Sequence, residues 1–372
     1  MGIKEVVKKN MNLLINLRKK LNLNAELAFQ EYKTQSIILD FLNKLQLDTK
    51  IFAKTGVSAT LNSDDDCIAI RADIDALPVN GISHACGHDY HTAILLGTAL
   101  VLKELKINKT VKLIFQPAEE ASGGAETMIA EGVLENPRVK SILGFHVWPN
   151  LDVGKIEVSS GPSMASVDDF YITFKGKGGH AAMPHLSKNP LYPAIDFIQT
   201  INVKSQIESN PLNSHVITFT SIQCGNAPNI IVDDCKICGT VRTFDNNLRK
   251  KIHEDFLENS YICAKKYGCS AEVDYKFQYP PLVSHPDLTD AFIKTAKKLV
   301  GEHNVLPLER TFAAEDFAFF AEKVPAVHFR LGISDGVKGT HPLHSCDFDA
   351  SNEAIFHGIC TLVNFITTVK RM

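Results

Sequence analysis

The chain of 372 residues has little excess charge and no long apolar run. Its 39 basic and 42 acidic side chains leave a formal net charge of -3, which gives no electrostatic footprint for nucleic acid or for an anionic membrane surface. No segment approaches the roughly 20 consecutive apolar residues that a membrane-spanning helix needs. Met1–Lys20 carries lysines among its apolar positions and lacks a small-residue cleavage site, so we expect an amphipathic helix there. These absences favour a cytoplasmic protein with a small-molecule partner.

The nine cysteines lack the compact spacing of a disulfide framework. This usage is typical of a reducing compartment, where a cysteine is a free thiol or a metal ligand. Cys235 and Cys238 form one close pair, but they lie in an apparent strand and no second ligand pair follows them. We therefore do not interpret them as a structural zinc site.

Helical and strand patterns alternate in the first part of the chain. Short β-rich runs at Cys67–Arg71, Val111–Phe115 and Ile142–Val147 are separated by helical patterns at Thr92–Leu105 and Ala125–Ala130. The alternation predicts an α/β fold with a mostly parallel sheet and helices on both faces.

The pattern changes near Ser166, where strands and two long helical stretches indicate a smaller α+β unit with its own sheet. Near Pro280 the chain returns to the first type of pattern. Because this length favours two packed domains, we predict a discontinuous catalytic domain of residues 1–165 and 279–372. Residues 166–278 form the inserted domain, which we expect to act as a lid and in dimerisation.

Two short motifs carry the chemistry. Cys86 and His88 are two residues apart, so in an extended loop their side chains project to the same side, and Gly87 leaves room between them. A thiolate, imidazoles and carboxylates together suit zinc or a neighbouring late transition metal better than calcium or magnesium. The adjacent Glu119 and Glu120 allow one carboxylate to bind metal and the other to transfer protons.

These side chains follow the ends of successive predicted strands. Asp73 and Asp75 come after the first strand, Glu119 and Glu120 after the second, and His146 lies near the end of the third. Ligands of open α/β sheets bind where the strands end and the loops begin. A single histidine or glutamate at such a position is more often an ordinary polar residue, but the convergence of several predicts a site.

Eight stretches in order along nearly the whole chain resemble the aminoacylase and glutamate-carboxypeptidase family of di-metal hydrolases. The closest likeness is to its amidohydrolase branch, which contains hippurate hydrolases, auxin-conjugate hydrolases and N-acetyl-diaminopimelate deacetylases. The matching stretches are Arg71–Pro78, His84–His91, Phe115–Glu120, Gly144–Val147, Gly176–Ala182, Gly239–Arg242, Ala314–Phe317 and Leu343–His344.

The resemblance implies a centre of two divalent metal ions. Zinc is the expected metal, with manganese, cobalt or nickel as alternatives, and Cys86 is the expected bridge between the two ions. Glu119 is the implied catalytic base, and Asp75 and Asp89 are the implied residues that orient ligands. The implied metal ligands are Cys86, His88, Glu120, His146 and His344.

The resemblance also implies roles for residues of the inserted domain. His180 is implied to help hold the oxyanion and to contact substrate, and Asn229 and Arg242 are implied to bind the substrate's carboxylate, for which an arginine fork is well shaped. The chain departs from the family at Leu21–Glu26, where a histidine and a proline are missing, and in a short stretch before His84. Both departures bear on the shape of the substrate pocket.

We therefore predict a cytoplasmic metal-dependent amidohydrolase that cleaves N-acyl amino acids, with a possible homodimer through the inserted domain. A dipeptidase or carboxypeptidase with the same centre is the nearest alternative. A metal-binding module without catalysis is a third interpretation, against which the presence of Glu119 argues. The sequence leaves open the acyl group, the amino acid and the native metal.

Overall fold

The computed structural model describes residues 1–121 and 123–369. In this part of the chain the α-helices are α1 (Ile3–Leu23), α2 (Tyr32–Lys44), α3 (His88–Glu104), α4 (Gly124–Ala130), α5 (Leu191–Glu208), α6 (Asn246–Lys266), α7 (Pro286–Val300), α8 (Ala318–Lys323) and α9 (Glu353–Thr368). The strands are β1 (Asp48–Phe52), β2 (Gly56–Leu61), β3 (Asp66–Asp73), β4 (Val111–Gln116), β5 (Arg138–Asp152), β6 (Ile156–Glu157), β7 (Gly161–Met164), β8 (Asp168–Lys175), β9 (Gly179–His180), β10 (His215–Gln223), β11 (Ile230–Ile231), β12 (Asp234–Thr243), β13 (Ser270–Phe277), β14 (Leu282–Ser284), β15 (Val305–Leu306) and β16 (Ala326–Ser334).

The chain divides into two compact units. The first contains Met1–Ser163, Val283–Glu309 and the chain from Glu315 onwards. The second contains Met164–Leu282 and the short segment Arg310–Ala314. Each unit has its own sheet and its own buried apolar core.

In the described chain, eight strands form the sheet of the first unit, in the order β1-β2-β4-β3-β5-β16-β6-β15. The central strands β4, β3, β5 and β16 pair in parallel. The pairs β1–β2, β2–β4 and β16–β6 are antiparallel. Strand β4 is buried along its whole length, as expected for a parallel strand that is covered on both faces. The predicted mostly parallel α/β sheet is confirmed, with antiparallel pairings added on both sides of its centre.

Side chains of β16 alternate between two helical layers. On one face Phe329 lies 4.6 Å from the ring of Phe292 in α7 and 5.7 Å from Phe145 of β5. On the other face His328 lies 5.6 Å from Phe317, which directly precedes α8. Because neighbouring residues of a strand point to opposite faces, helices cover both sides of this sheet.

Helix α3 begins at His88, four residues before the helical pattern predicted from Thr92. Gly87 precedes it in the left-handed conformation, with φ of 85°. A Cβ atom at Gly87 would collide with the side chain of Val147, so this close approach requires glycine. Because the first turn of α3 is polar, the apolar pattern did not reveal where the helix begins. Its early start makes His88 the first residue of α3, at the end of the helix that faces the strand ends.

The second unit contains a four-stranded antiparallel sheet in the order β10-β12-β8-β13. Strand β8 alternates, with Phe170 and Phe174 buried and Tyr171 exposed. The ring of Phe256 in α6 lies 4.7 Å from Phe170 and 5.4 Å from Phe197 in α5. Helices α5 and α6 therefore cover one face of this sheet. None of the helices described in either unit is both long enough and apolar enough to span a lipid bilayer.

Candidate metal centre

A cluster of imidazole, thiol and carboxylate side chains lies at the carboxyl ends of the parallel strands in the first unit. His146 lies on β5, and Glu119 and Glu120 follow β4. Cys86 lies in the loop before α3, and His88 is the first residue of that helix. Parallel strands bring their carboxyl ends to the same edge of a sheet, which is where open α/β sheets bind ligands.

Cys86 is the centre of this cluster. Its Sγ atom is 3.4 Å from His146 Nε2 and 3.3 Å from His344 Nε2. The backbone N–H of His344 donates to the carbonyl of Ala85 (2.9 Å). This bond fixes His344, which is distant in the sequence, beside the loop that contains Cys86. Glu120 Oε1 is 3.3 Å from His344 Nε2. Four of the five predicted ligands therefore lie together, with His146 and His344 in contact with the thiol of Cys86 and Glu120 in contact with His344.

His88 is held in one orientation by Asp75. The Nδ1 atom of His88 is 3.0 Å from the backbone oxygen of Asp75 and 3.2 Å from its Oδ1 atom. Asp75 Oδ2 also accepts the backbone N–H of Glu120 (3.0 Å). One carboxylate thus orients two predicted ligands, which is the usual role of a side chain just outside a metal's ligand set.

The free nitrogen of His88 gives a direct test of whether a metal fits. In the described part of the chain His88 Nε2 is buried and has no hydrogen-bond partner, and it lies 3.8 Å from Glu120 Oε1. Buried polar atoms nearly always have a partner. The ligand atoms of Cys86, His88 and His146 lie within 4.8 Å of one another, as do those of Cys86, Glu120 and His344. Two overlapping groups of thiol, imidazole and carboxylate donors therefore fit divalent metal ions.

The charges around Cys86 also favour a cation. Burial, followed by the negative charges of Glu120 and Glu119, raises the pKa of the Cys86 thiol well above its usual range. His88 shows the complementary effect, because Asp73, Asp75 and Glu120 outweigh burial and raise the pKa of its imidazole to about 10. Buried negative charge thus favours the protonated forms of Cys86 and His88, and a divalent cation would displace these protons.

Glu119 lies beside these ligands and is 8% exposed. The carboxylate of Glu119 belongs to two groups of possible ligands, one with His88 and Glu120 and one with Glu315 and Asp316. Within each group the oxygen and nitrogen atoms lie within 4.8 Å of one another. Burial is the largest cause that raises the pKa of Glu119 well above its usual range, and the charge of Glu315 adds to it. Glu119 is therefore a carboxyl group that binds a proton readily.

Sequence reasoning assigned no role to Arg71, Glu315 or Asp316, which form a buried ion network with Asp73. Arg71 is fully buried and its guanidinium contacts Asp73 (2.7 Å), Glu315 (2.9 Å) and Asp316 (2.7 Å). Gln116 also donates to Asp316 Oδ2 (2.7 Å). The matching stretches Arg71–Pro78 and Ala314–Phe317 were the available signal, because they contain four of these residues.

His91 belongs to the same network, and hydrogen bonds occupy both of its ring nitrogens. Its Nε2 atom accepts the backbone N–H of Val147 (2.9 Å). The proton of the neutral ring therefore lies on Nδ1, which is 2.5 Å from Asp73 Oδ1. Both ring nitrogens are engaged, so His91 supports Asp73.

Asp89 contacts α1 and not a ligand side chain. Its Oδ2 atom accepts from Arg18 Nη1 (3.3 Å) and from Asn22 Nδ2 (3.0 Å). Asn22 stands where the resemblance implies a histidine, so the departure seen in the sequence lies directly against the helix that begins with His88. Any orienting effect of Asp89 on His88 acts through the start of α3.

His180, Asn229 and Arg242 lie in the second unit. His180 is exposed on β9, where it pairs with Ile230 of β11. The carbonyl of Asn229 accepts the N–H of Ala181 (3.1 Å), so Asn229 and His180 belong to one small two-stranded structure. Arg242 is half-buried on β12 opposite Val216. The substrate contacts assigned to these three residues stay predictions.

A model of the family described as Peptidase family M20/M25/M40 matches residues 69–368. The chain belongs to this family. The resemblance identified in the sequence is thereby confirmed, as is the prediction of a hydrolase.

Relatives match nearly the full length of the chain. The N-acetylcysteine deacetylase of Bacillus subtilis is 36% identical over 377 residues, covering 96% of this chain and 98% of the relative. The thermostable carboxypeptidase 2 of Saccharolobus solfataricus is 34% identical, covering 95% and 94%. The solved structure of the Bacillus subtilis YxeP protein, a dinuclear metal-binding peptidase of the M20 family, has a TM-score of 0.81 at 32% identity and covers 97% of this chain and 98% of its own.

Proposed function

We propose that the protein is a metal-dependent amidohydrolase that cleaves N-acyl amino acids to a carboxylate and a free amino acid. The observation that carries the proposal is the meeting of Cys86 with His146, His344 and Glu120 beside the carboxyl group of Glu119. The relatives named as deacetylases of N-acetylated amino acids support this substrate class.

The proposed ligands of two divalent ions are Cys86, His88, Glu120, His146 and His344. Cys86 would be the ligand that the two ions share, because its sulfur contacts the ring nitrogens of both His146 (3.4 Å) and His344 (3.3 Å). Zinc is the proposed metal, since a mixed set of sulfur, nitrogen and oxygen donors suits it. When bound, such ions polarise an amide carbonyl and lower the pKa of a water molecule.

Glu119 supplies the proton transfers. Its carboxylate accepts a proton from the attacking water and then donates that proton to the nitrogen of the departing amine. A carboxyl group in water has too low a pKa to hold this proton, but burial and the charges of Glu315 and Glu120 raise the pKa of Glu119. The guanidinium of Arg71 holds Glu315 and Asp316 in place near Glu119.

The second unit is proposed to bind the rest of the substrate. Arg242 presents a guanidinium fork that suits the carboxylate of an amino acid, and Asn229 adds an amide. His180 is proposed to stabilise the oxyanion. The lid and dimerisation roles of residues 166–278, a homodimer and a cytoplasmic location are further parts of the proposal.

The carboxypeptidase relatives favour a second candidate, hydrolysis of a peptide bond by the same centre. An assay of N-acetyl and N-benzoyl amino acids beside dipeptides separates the two candidates. Their substrates differ only in the acyl group that is attached to the nitrogen of the released amino acid. Faster turnover of the dipeptides would replace the first candidate by the second.

The substitution Glu119→Gln tests the proposed base. We expect metal content to stay normal and turnover to fall by about 10²–10⁴-fold, the usual contribution of general acid–base catalysis. Glu126→Gln is the matched control, because Glu126 is an exposed residue of nearby α4. Turnover of the Glu119 variant equal to that of the control would remove Glu119 from the mechanism.

A further inference from the structure

Glu31 is a fully buried carboxylate that the proposed chemistry does not use. It directly precedes α2, and its side chain is 0% exposed. One oxygen, Oε1, accepts the backbone N–H of Ala118 (3.0 Å), and the other, Oε2, accepts the hydroxyl of Thr55 (2.5 Å). Glu31 therefore joins the start of α2 to the residue immediately before Glu119.

Ala118 has an unusual backbone conformation. Its φ is +55°, in the left-handed region that residues with a Cβ atom rarely adopt. Such conformations persist only where the surroundings hold them, and they are common at active sites. Ala118 is buried, its N–H is bound by Glu31, and its carbonyl accepts the N–H of Gly124 (3.1 Å). Both polar groups of this strained residue are therefore fixed.

We infer that Glu31 is a positioning residue for Glu119, an inference that rests on the proposed function. The backbone of Ala118 determines the direction in which the next side chain leaves the chain. By holding Ala118 in the left-handed region, Glu31 places the carboxyl group of Glu119 within 4.8 Å of ligand atoms of His88 and of Glu315. The role requires an acceptor oxygen at Ala118 and does not require a charge.

Two substitutions of Glu31 separate this role from general stability. In Glu31→Ala, the acceptor is lost, and we expect kcat to fall by about 100-fold, as for a reacting group displaced by about 1 Å. KM and metal content should not change, because Glu31 contacts neither the proposed ligands nor the proposed substrate residues. In Glu31→Gln the amide oxygen still accepts from Ala118 and the amide group donates to the Thr55 hydroxyl, so kcat should stay near the wild-type value.

Thr55→Val is the matched control. It removes the hydroxyl from the other oxygen of the same carboxylate and leaves the bond to Ala118 in place. We expect its kcat to stay near the wild-type value. If Glu31→Ala does not fold, Glu31→Met, which keeps most of the volume and also lacks an acceptor, takes its place with the same expected loss of kcat.

Ala118→Gly gives a rescue that a merely structural role would not show. Glycine adopts positive φ without the steric cost, so adding it to Glu31→Ala should restore part of kcat. Crystal structures of the zinc-loaded wild type and Glu31→Ala give a readout independent of turnover. We expect Ala118 to leave the left-handed region and Glu119 to move, with the five ligands in place.

Unchanged positions of Ala118 and Glu119 in the Glu31→Ala crystal would overturn the inference, as would an unchanged kcat. A zinc-loaded wild type that hydrolyses neither acylated amino acids nor dipeptides would contradict the proposed function alone. The crystal structures would still decide the role of Glu31 in that case.

Discussion

Replacing Asp75 by asparagine should weaken metal binding without removing a ligand. Asp75 accepts the N–H of Glu120 through Oδ2 (3.0 Å) and lies 3.2 Å from His88 Nδ1 through Oδ1. Loss of such an orienting partner typically costs 10–100-fold in metal affinity. His88 Nδ1 keeps its 3.0 Å contact with the backbone oxygen of Asp75, so the loss should lie near the lower limit. We expect about a 10-fold weaker affinity, or about 1.4 kcal/mol.

A competition titration of zinc against a coloured chelator measures this change. Asp152→Asn is the control, because Asp152 is exposed and its side chain forms an ion pair only with Lys155 (2.6 Å) among the described residues. The control should bind zinc with wild-type affinity. If Asp75→Asn bound zinc as tightly as Asp152→Asn, the proposed orientation of His88 and Glu120 by Asp75 would be refuted.

Two further predictions concern Cys86 and His328. Cys86→Ala should lower the metal content of the purified protein because it removes the thiol between His146 and His344; elemental analysis showing full occupancy would contradict its role as a ligand. Burial and the charge of Arg71 lower the pKa of His328 from 6.5 to about 3, so below pH 6.5 the unfolded chain binds a proton that the folded chain does not. The free energy of unfolding should therefore fall as the pH is lowered from 6.5 towards 3, by about 1.4 kcal/mol per pH unit. Denaturation midpoints are measured against pH for the wild type and for His328→Gln, and midpoints that fall in parallel would refute this assignment.

The parts of the site that sequence reasoning predicted lie in short motifs at strand ends. Cys86, His88, Glu119 and Glu120 are close together in the sequence and follow recognisable strands. Their chemistry is visible because thiol, imidazole and carboxylate groups rarely cluster without a function. Helical and strand periodicity likewise predicted the central sheet, because β4 and its neighbours are buried apolar runs.

The supporting contacts were not predictable in the same way, because they join residues that are distant in the sequence. Glu31 reaches Ala118 across 87 positions, and Arg71 reaches Asp316 across 245. Neither contact leaves a periodic pattern in the chain. The left-handed conformation of Ala118 was also hidden, since alanine is not a residue that marks positive φ. Packing around the site fixes these features, and local propensity does not.

Anomalous diffraction from crystals of the zinc-loaded protein tests the central claim most directly. We predict two zinc ions, with Cys86 between them and the side chains of His88, Glu120, His146 and His344 as the other protein ligands. A single ion, or ions bound away from Cys86, would contradict the account.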